Sequence, residues 1–285
     1  MIVLLNGSYL PAEQARISPL DRGFLFGDGI YEVIPSYGGR PVGLQLHLER
    51  LKRGLAAIGI PNPLTDAEWR VAVRELGERN GGGDLGIYLH ISRGDEGRRL
   101  HRYPEGVTPT VFGMAFAIEP PPPAPDRHRQ PGLRVTTAED LRWQRCHIKS
   151  TSLLGNVMHY QAGHAAGMHE TILYNSAGEL TEASVSNVFV VRHGEVATPL
   201  LDHQKLPGIT RHICLESLRA EGSIPVRERV VTLAEAREAD EIWITNSARQ
   251  IAPVVELDGR PVGSGQVGEV WERAMRIYDA AKYED

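Results

Sequence analysis

The chain has 285 residues, 41% of them apolar, so it is long enough for two modest domains or one large domain with a proper core. A formal net charge of −5 with interspersed lysines and arginines argues against nucleic-acid binding, and no apolar run approaches the ~18 residues of a membrane span. Two cysteines, Cys146 and Cys214, and a start without basic residues support neither a disulfide scaffold nor a signal peptide. We therefore expect a cytoplasmic protein whose partners are small molecules, not nucleic acid or membrane.

The chain is predicted to begin with an edge hairpin. Asn6-Gly7 stands between two short apolar runs and has the composition of a two-residue hairpin turn. The glycine-rich segment 21–29 then predicts a tight loop, because glycines tolerate backbone angles that other residues avoid. A strand that carries Tyr31 is expected to follow it.

Two helices and two strands are predicted next. Leucines and isoleucines spaced by three and four predict a helix over 47–60 that carries Arg50. Thr65 and Glu68 form a capping box that predicts the start of a second helix, which extends to Leu76. Apolar alternation and β-forming residues predict strands over 87–91 and 111–118.

A proline run divides the sequence. Residues 120–125 read Pro-Pro-Pro-Pro-Ala-Pro, which cannot continue a helix or a central strand and behaves as a stiff spacer. The sequence thus predicts a small N-terminal α/β domain (1–119), a linker (120–129) and a larger β-rich C-terminal domain with flanking helices (130–285). Within the last we expect strands at 133–137, 171–174, 188–192, 195–197, 226–231 and 241–245, helices at 152–168, 209–219 and 265–281, and hairpins at 193–194 and 258–259.

Three features of the C-terminal part suggest one kind of chemistry. Lys149 is a lone lysine between a Leu/Arg/Trp segment and a helical run with little other charge, and Glu182 stands among apolar residues that lead into a strand. The segment 206–211 opens a helix, whose N-terminal N–H groups can bind phosphate. A Schiff-base lysine, an acid for a pyridinium nitrogen and a phosphate-binding helix terminus together indicate a pyridoxal 5'-phosphate site.

Seven short segments, in order along the chain, resemble those of the fold-type IV pyridoxal phosphate enzymes, and most closely the D-amino acid aminotransferases. The resemblance covers essentially the whole chain and implies an α+β, two-domain fold. The segments are 26–32, 47–51, 148–150, 154–156, 180–182 with 186–189, 208–211, and 245–247 with 252–254.

The resemblance implies a role for each cofactor residue. Lys149 forms the Schiff base and moves a proton between the substrate α-carbon and the cofactor, while Glu182 keeps the pyridine nitrogen protonated. Leu206 packs beneath the ring. The phosphate is held by Arg50, Gly208, Ile209, Thr210, Asn246 and Ser247, although many relatives carry a hydroxyl residue where Asn246 stands.

The family's substrate residues match a second set of positions. Arg99 and His101 fit the Arg-x-His pair that holds the substrate carboxylate, Tyr31 fits a pocket tyrosine, and the adjacent Arg98 leaves the assignment of the arginine open. Pro35 stands on the pocket strand, where relatives vary. In this family the loop enters the neighbouring subunit's active site, so the resemblance also implies a homodimer with shared sites.

These implications lead to one main hypothesis, a transaminase acting on D-amino acids such as D-alanine or D-glutamate and on 2-oxo acids. The alternatives are transamination of branched-chain L-amino acids or (R)-amines, and cleavage of aminodeoxychorismate by a lyase. A non-enzymatic cofactor-binding protein is disfavoured because Lys149 and Glu182 are both present. A zinc site is not expected, because Leu173 occupies the place of the second histidine after His169-Glu170.

Overall fold

The computed structural model describes residues 1–120 and 124–283, which gather into two compact units. The first unit contains residues 1–120, 148–153 and 283, and the second contains 124–147 and 154–282. Residues 148–153, which the sequence analysis assigned to the C-terminal domain, therefore cluster with the N-terminal part of the chain. Residues 121–123 of the predicted linker lie outside the described residues, and the linker and domain boundaries stay a prediction.

The first unit is built on an antiparallel sheet. Its strands are β1 (Ile2–Leu5), β2 (Ser8–Pro11), β3 (Gly29–Tyr37), β4 (Arg40–Pro41), β5 (Leu85–Ser92) and β6 (Thr110–Ala117). They are hydrogen-bonded in the order β2-β1-β6-β5-β3-β4. The predicted edge hairpin is confirmed, because β1 pairs with β2 across Asn6 and Gly7, whose φ angles of 48° and 85° suit a two-residue turn.

Three helices accompany this sheet: α1 (Arg22–Phe26), α2 (Leu44–Ala57) and α3 (Asp66–Arg79). The short α1 lies inside the predicted loop and begins at Asp21, whose carboxylate accepts the N–H of Gly23. Helix α2 starts and ends three residues earlier than expected. Its apolar periodicity continues to Ile60, which is buried beyond the helix end, after Gly59 turns the chain with a φ of 66°. The capping box of Thr65 and Glu68 at α3 is confirmed.

Helices α2 and α3 cover one face of the sheet and form the core of the first unit with it. The largest fully buried members are Trp69, Ile30, Ile34, Leu48, Leu51, Leu55, Leu76 and Ile87. Side chains alternate along β3, so Ile30 and Glu32 face this core whereas Tyr31 lies on the opposite face.

The second unit contains a larger, mixed sheet. Its strands are β7 (Leu133–Glu139), β8 (Glu170–Tyr174), β9 (Leu180–Ala183), β10 (Asn187–Arg192), β11 (Glu195–Thr198), β12 (Val226–Glu228), β13 (Glu241–Asn246), β14 (Gln250–Leu257) and β15 (Arg260–Pro261). The hydrogen-bonded order is β12-β11-β10-β13-β14-β7-β8-β9, with β15 on β14. The hairpins predicted at His193-Gly194 and Asp258-Gly259 are confirmed by positive φ angles at all four residues.

The helices of the second unit are α4 (Leu154–Ala165), α5 (Ile209–Glu221), α6 (Leu233–Arg237) and α7 (Glu269–Ala281). Two predicted helices are longer than the observed ones, because Gly167 (φ 76°) follows the end of α4 and Gly265 (φ 71°) precedes the start of α7. The strand predicted over 226–231 ends at Glu228, and Val231 is buried where its carbonyl accepts the N–H of Leu180. Within residues 1–120 and 124–283, no helix is both long and apolar enough to cross a membrane.

Candidate active site

Lys149 lies in a short segment that pairs with the start of β3 in the first unit. Its carbonyl accepts the N–H of Tyr31 at 3.0 Å, and the N–H of Thr151 donates to the carbonyl of Gly29 at 3.0 Å. The half-buried Lys149 side chain carries its Nζ atom 4.2 Å from the centroid of the Tyr31 ring. The structure therefore brings the predicted catalytic lysine beside the predicted substrate-binding tyrosine.

Arg50 belongs to a buried polar cluster between β3 and α2. Its Nε and Nη2 atoms donate to the two carboxylate oxygens of Glu32 at 2.8 and 2.7 Å, and His47 Nδ1 lies 2.7 Å from Glu32 Oε2. Burial alone raises the pKa of Glu32, but Arg50 and His47 stabilise the anion and hold that pKa well below its usual range. Burial lowers the pKa of His47, and the nearby Arg50 and Lys149 act in the same direction.

The Arg-x-His segment lies in the connection between β5 and β6. The guanidinium carbon of Arg99 lies 5.1 Å from the centroid of the Phe26 ring, and the His101 ring lies 5.3 Å from the same ring. Arg98 instead approaches Glu96, with 3.7 Å between Nε and Oε2. Arg99 and His101 are thus brought together at Phe26, with both side chains exposed.

Glu182 is buried on β9 in the second unit and is held by three donors. Arg142 Nη1 donates to Oε1 at 2.5 Å, and Oε2 accepts the Asn187 carboxamide at 3.1 Å and the backbone N–H of Leu206 at 2.8 Å. Burial raises the pKa of Glu182, while the guanidinium of Arg142 opposes that effect. The predicted site residues Glu182 and Leu206 are therefore in direct contact.

Arg142 is itself fixed by a second carboxylate. Asp140 accepts hydrogen bonds from Arg142 Nε at 2.9 Å and Nη2 at 2.8 Å, and its Oδ2 also accepts the Thr181 hydroxyl at 2.7 Å. The two carboxylates raise the pKa of Arg142, so the guanidinium stays charged, and the guanidinium holds the pKa of Asp140 below its usual range despite burial. Asp140, Arg142 and Glu182 form one line of alternating charge.

The N-terminus of α5 carries Gly208, Ile209 and Thr210. Gly208 is the capping residue and provides no side-chain cap, which leaves the first N–H groups of the helix for an external acceptor. A Cβ atom at Gly208 would lie 2.0 Å from the Asn187 Oδ1 atom, so the close approach of this carboxamide requires glycine here. Ile209 and Thr210 are both buried.

An unsatisfied hydroxyl lies near this helix terminus. Thr245 Oγ1 is buried and has no hydrogen-bond partner within the part of the chain that the structure describes. Thr245 is directly opposite Asn187 in the β10–β13 pair, so the two side chains share one face of the sheet. A phosphate at the α5 terminus, with its many acceptor oxygens, suits both the free N–H groups and this hydroxyl. The residues present therefore fit an anionic cofactor group.

Asn246 and Ser247 follow at the end of β13. The Asn246 carboxamide donates to Ser186 Oγ at 2.9 Å and accepts the N–H groups of Ala248 and Arg249 at 2.9 and 2.8 Å. Asn246 therefore shapes this turn with its own side chain. Ser247 is half-buried in the same turn.

Sequence reasoning gave no role to Arg142, Asp140, Glu32, His47 or Asn187. A signal for Glu32 existed, because alternation along β3 puts it on the same face as Ile30, and helical periodicity puts His47 and Arg50 on the buried side of α2. Arg142 had no such signal, since its partner Glu182 lies forty residues further along the chain. Among the described residues, no group of three or more His, Cys, Asp or Glu side chains could hold a metal ion.

Comparison with known proteins identifies relatives along almost the whole chain. The family model described as amino-transferase class IV matches residues 29–257. A D-alanine aminotransferase of Bacillus licheniformis is 38% identical over 94% of this chain and 92% of its own length.

Solved structures agree with this result. A branched-chain aminotransferase of Thermoproteus uzoniensis with norvaline has a TM-score of 0.86 and 28% identity, covering 98% of this chain and 93% of that chain. A branched-chain amino acid aminotransferase of T.th., solved with pyridoxamine 5'-phosphate, has a TM-score of 0.90 at 23% identity, covering 100% and 95%. The fold-type IV α+β fold, the family and the cofactor expected from the sequence are confirmed. The chain belongs to the class IV aminotransferases, which use pyridoxal 5'-phosphate.

Proposed function

We propose that this chain transfers an amino group between a D-amino acid, such as D-alanine or D-glutamate, and a 2-oxo acid. The observation that carries the proposal is the pairing of Arg99 and His101 at the Phe26 ring, because these two side chains suit a substrate carboxylate. Arg98 is less suitable, since Glu96 lies against it. The naming of the Bacillus licheniformis relative as a D-alanine aminotransferase supports the same substrate class.

Lys149 is proposed as the catalytic residue. Pyridoxal phosphate, when bound, supplies an aldehyde that takes up amino groups and a ring that accepts the electron pair released at the substrate α-carbon. The Nζ atom of Lys149 holds the cofactor covalently between turnovers and carries the proton between the substrate α-carbon and the cofactor C4' atom. The Tyr31 ring, 4.2 Å from Nζ, orients the amine when it is charged.

Glu182 is proposed to keep the pyridine nitrogen protonated. Its three donors, Arg142, Asn187 and the Leu206 N–H, fix the direction of the carboxylate, and Arg142 supports its ionised form. We propose that Leu206 packs beneath the ring. The groups proposed to hold the phosphate are the Arg50 guanidinium, the α5 terminus at Gly208, Ile209 and Thr210, and the turn of Asn246 and Ser247.

We further propose a homodimer in which the Arg99 loop of each subunit serves the active site of its partner. Arg99 and His101 are exposed in the single chain, and helix α4 presents Leu154, Val157 and Met158, an exposed apolar stripe of the kind that subunit contacts cover. Mixing two inactive variants tests the arrangement. Unfolding and refolding Lys149→Ala together with Arg99→Ala should restore activity, because a hybrid dimer then has one site with both residues, whereas unshared sites leave the mixture inactive.

The cytoplasm is the proposed place of action. Cys146 and Cys214 are both free and buried, as expected of a protein from a reducing compartment. Fractionation of cells that produce the protein tests this, and recovery outside the cytoplasm contradicts it.

Single-turnover absorbance measurements test the proposed reaction. The cofactor-loaded protein is mixed with D-alanine, D-glutamate, L-alanine, L-leucine or an (R)-amine, and conversion to the amino form of the cofactor is followed. D-alanine and D-glutamate should react fastest. Faster conversion by L-leucine or by the (R)-amine assigns one of those transaminations instead, and release of 4-aminobenzoate from aminodeoxychorismate without any half-reaction assigns the lyase.

A further inference from the structure

The loop that carries Arg99 and His101 is held from within by Arg22 of helix α1. Arg22 Nη1 donates to the carbonyls of Leu100 and Arg102 at 2.5 and 3.3 Å, and Nη2 donates to the carbonyl of His101 at 3.4 Å. The Arg22 side chain is 3% exposed. One guanidinium thus collects the carbonyls of three successive residues, 78 to 80 positions further along the chain.

Two carboxylates balance the charge of Arg22. Asp28 accepts its Nε at 2.8 Å, and Glu96 Oε1 lies 3.6 Å from Nη1 with a nearly buried side chain. Asp28 also receives Arg93, through Nε at 2.8 Å and Nη2 at 3.0 Å. A lysine cannot replace this arrangement, because a single ammonium cannot reach the carboxylates and three carbonyls at once.

The same arginine fixes the direction of the side chains that leave the loop. The Phe26 ring lies 4.8 Å from the guanidinium carbon of Arg22, 5.1 Å from that of Arg99 and 5.3 Å from the His101 ring. Arg22 therefore touches the loop backbone and also the ring against which Arg99 and His101 rest. Buried ion pairs add little net stability against apolar replacements, so a buried arginine of this kind is better explained by the geometry that it imposes.

We propose that Arg22 is a positioning residue for the substrate carboxylate, acting through the backbone of residues 100–102 to set where Arg99 and His101 project. The inference rests on the proposed D-amino acid transamination. It separates the two ends of the substrate: the loop geometry governs recognition of the carboxylate, while reaction of the amine with the cofactor does not depend on Arg22.

The test compares Arg22→Lys with wild type on D-alanine and on an (R)-amine that lacks a carboxylate. A displacement of about 1 Å at a binding group can lower catalysis on the order of a hundredfold. We expect a loss of roughly that size in kcat/KM for D-alanine, mainly through KM, and an unchanged rate with the amine. Trypsin should also cleave after Arg98, Arg99 or Arg102 faster in the variant, which reports the freed loop without any turnover.

Arg229→Lys is the matched control, because Arg229 also holds a carboxylate (Glu235) and a carbonyl (Val230), but in the second unit. It should leave both substrates unaffected. An equal loss with both substrates, or no loss with D-alanine, overturns the positioning role. If Arg22→Lys does not fold, Asp28→Asn, which removes the shared counter-charge, should give the same selective loss, and an unselective effect overturns the inference. Failure of the proposed function is recognised separately, by wild type that does not convert D-alanine.

Discussion

Arg142 and Glu182 form a buried ion pair in the second unit, with 2.5 Å between Nη1 and Oε1 and with both side chains almost inaccessible to solvent. Removing one partner of such a pair leaves a buried charge without compensation, which costs about 3–5 kcal/mol. We expect Arg142→Met to lower the free energy of unfolding by about this amount at pH 8, measured by urea denaturation of the cofactor-loaded protein. Arg142→Lys keeps the charge and should cost less.

The pH dependence of that loss follows from the raised pKa of Glu182. A carboxyl group with a raised pKa holds its proton more tightly in the folded protein, so its contribution favours folding at low pH and is lost as the pH rises through the folded pKa. Arg142→Met removes the group that opposes burial and raises this pKa further. The destabilisation should therefore shrink between pH 8 and pH 5, and an equal loss at both values contradicts the assignment.

Glu32 should show the opposite pH dependence. Glu32→Gln keeps the shape but leaves Arg50 buried without its counter-charge, so we expect a loss of about 3–5 kcal/mol at pH 7. Because the folded pKa of Glu32 is depressed, its contribution is complete above the unfolded value of about 4.3 and is lost as the pH falls through the folded value. Urea denaturation should show a constant gap from pH 8 to pH 6 that narrows only below about pH 4. Glu75→Gln, at the more exposed pair with Arg79, should change stability by less than about 1 kcal/mol.

Lys149→Ala should abolish transamination and leave the fold intact, because the change removes the reactive nitrogen and little packed surface. Borohydride treatment followed by mass spectrometry should detect covalently held cofactor in wild type and none in the variant. Lys52→Ala, at a surface ion pair with Asp66, is the control and should keep the adduct. Normal turnover by Lys149→Ala would move the chemistry to another residue.

Arg50→Ala should weaken cofactor binding about ten- to a hundredfold, since a hydrogen bond to a charged group contributes roughly 1.5–3 kcal/mol. Titration of the cofactor-free protein with pyridoxal phosphate measures the change, and excess cofactor should restore activity. Arg53→Ala changes an exposed arginine on the same helix and should leave the affinity unaltered. Equal affinities in both variants would limit Arg50 to its contact with Glu32.

Arg99→Ala should lower kcat/KM for D-alanine by about 2–4 kcal/mol in transition-state stabilisation, because it removes the proposed partner of the substrate carboxylate. Cofactor affinity and the rate with an (R)-amine should not change. Arg98→Ala is the matched control. A selective loss in Arg98→Ala would shift the assignment by one residue, and tolerance of both changes would remove the support for D-amino acids while leaving the family unaffected.

The sequence alone determined features that depend on neighbouring residues. The turns at Asn6-Gly7 and His193-Gly194 were predictable because their positive φ angles suit these residue types, and the capping box of Thr65 and Glu68 closes within one helical turn. The family could also be identified from the sequence, because its short segments keep their order along the chain.

Only the tertiary structure decided which distant groups meet. Glu32 and Arg50 are 18 residues apart, Glu182 and Arg142 are 40 apart, and Arg22 and Leu100 are 78 apart. The segment that carries Lys149 joins the first unit because it pairs with β3, which no local pattern specifies. Such contacts depend on strand order and on the packing of helices against sheets, since a buried charge can be stabilised by any partner that the fold brings within hydrogen-bonding distance.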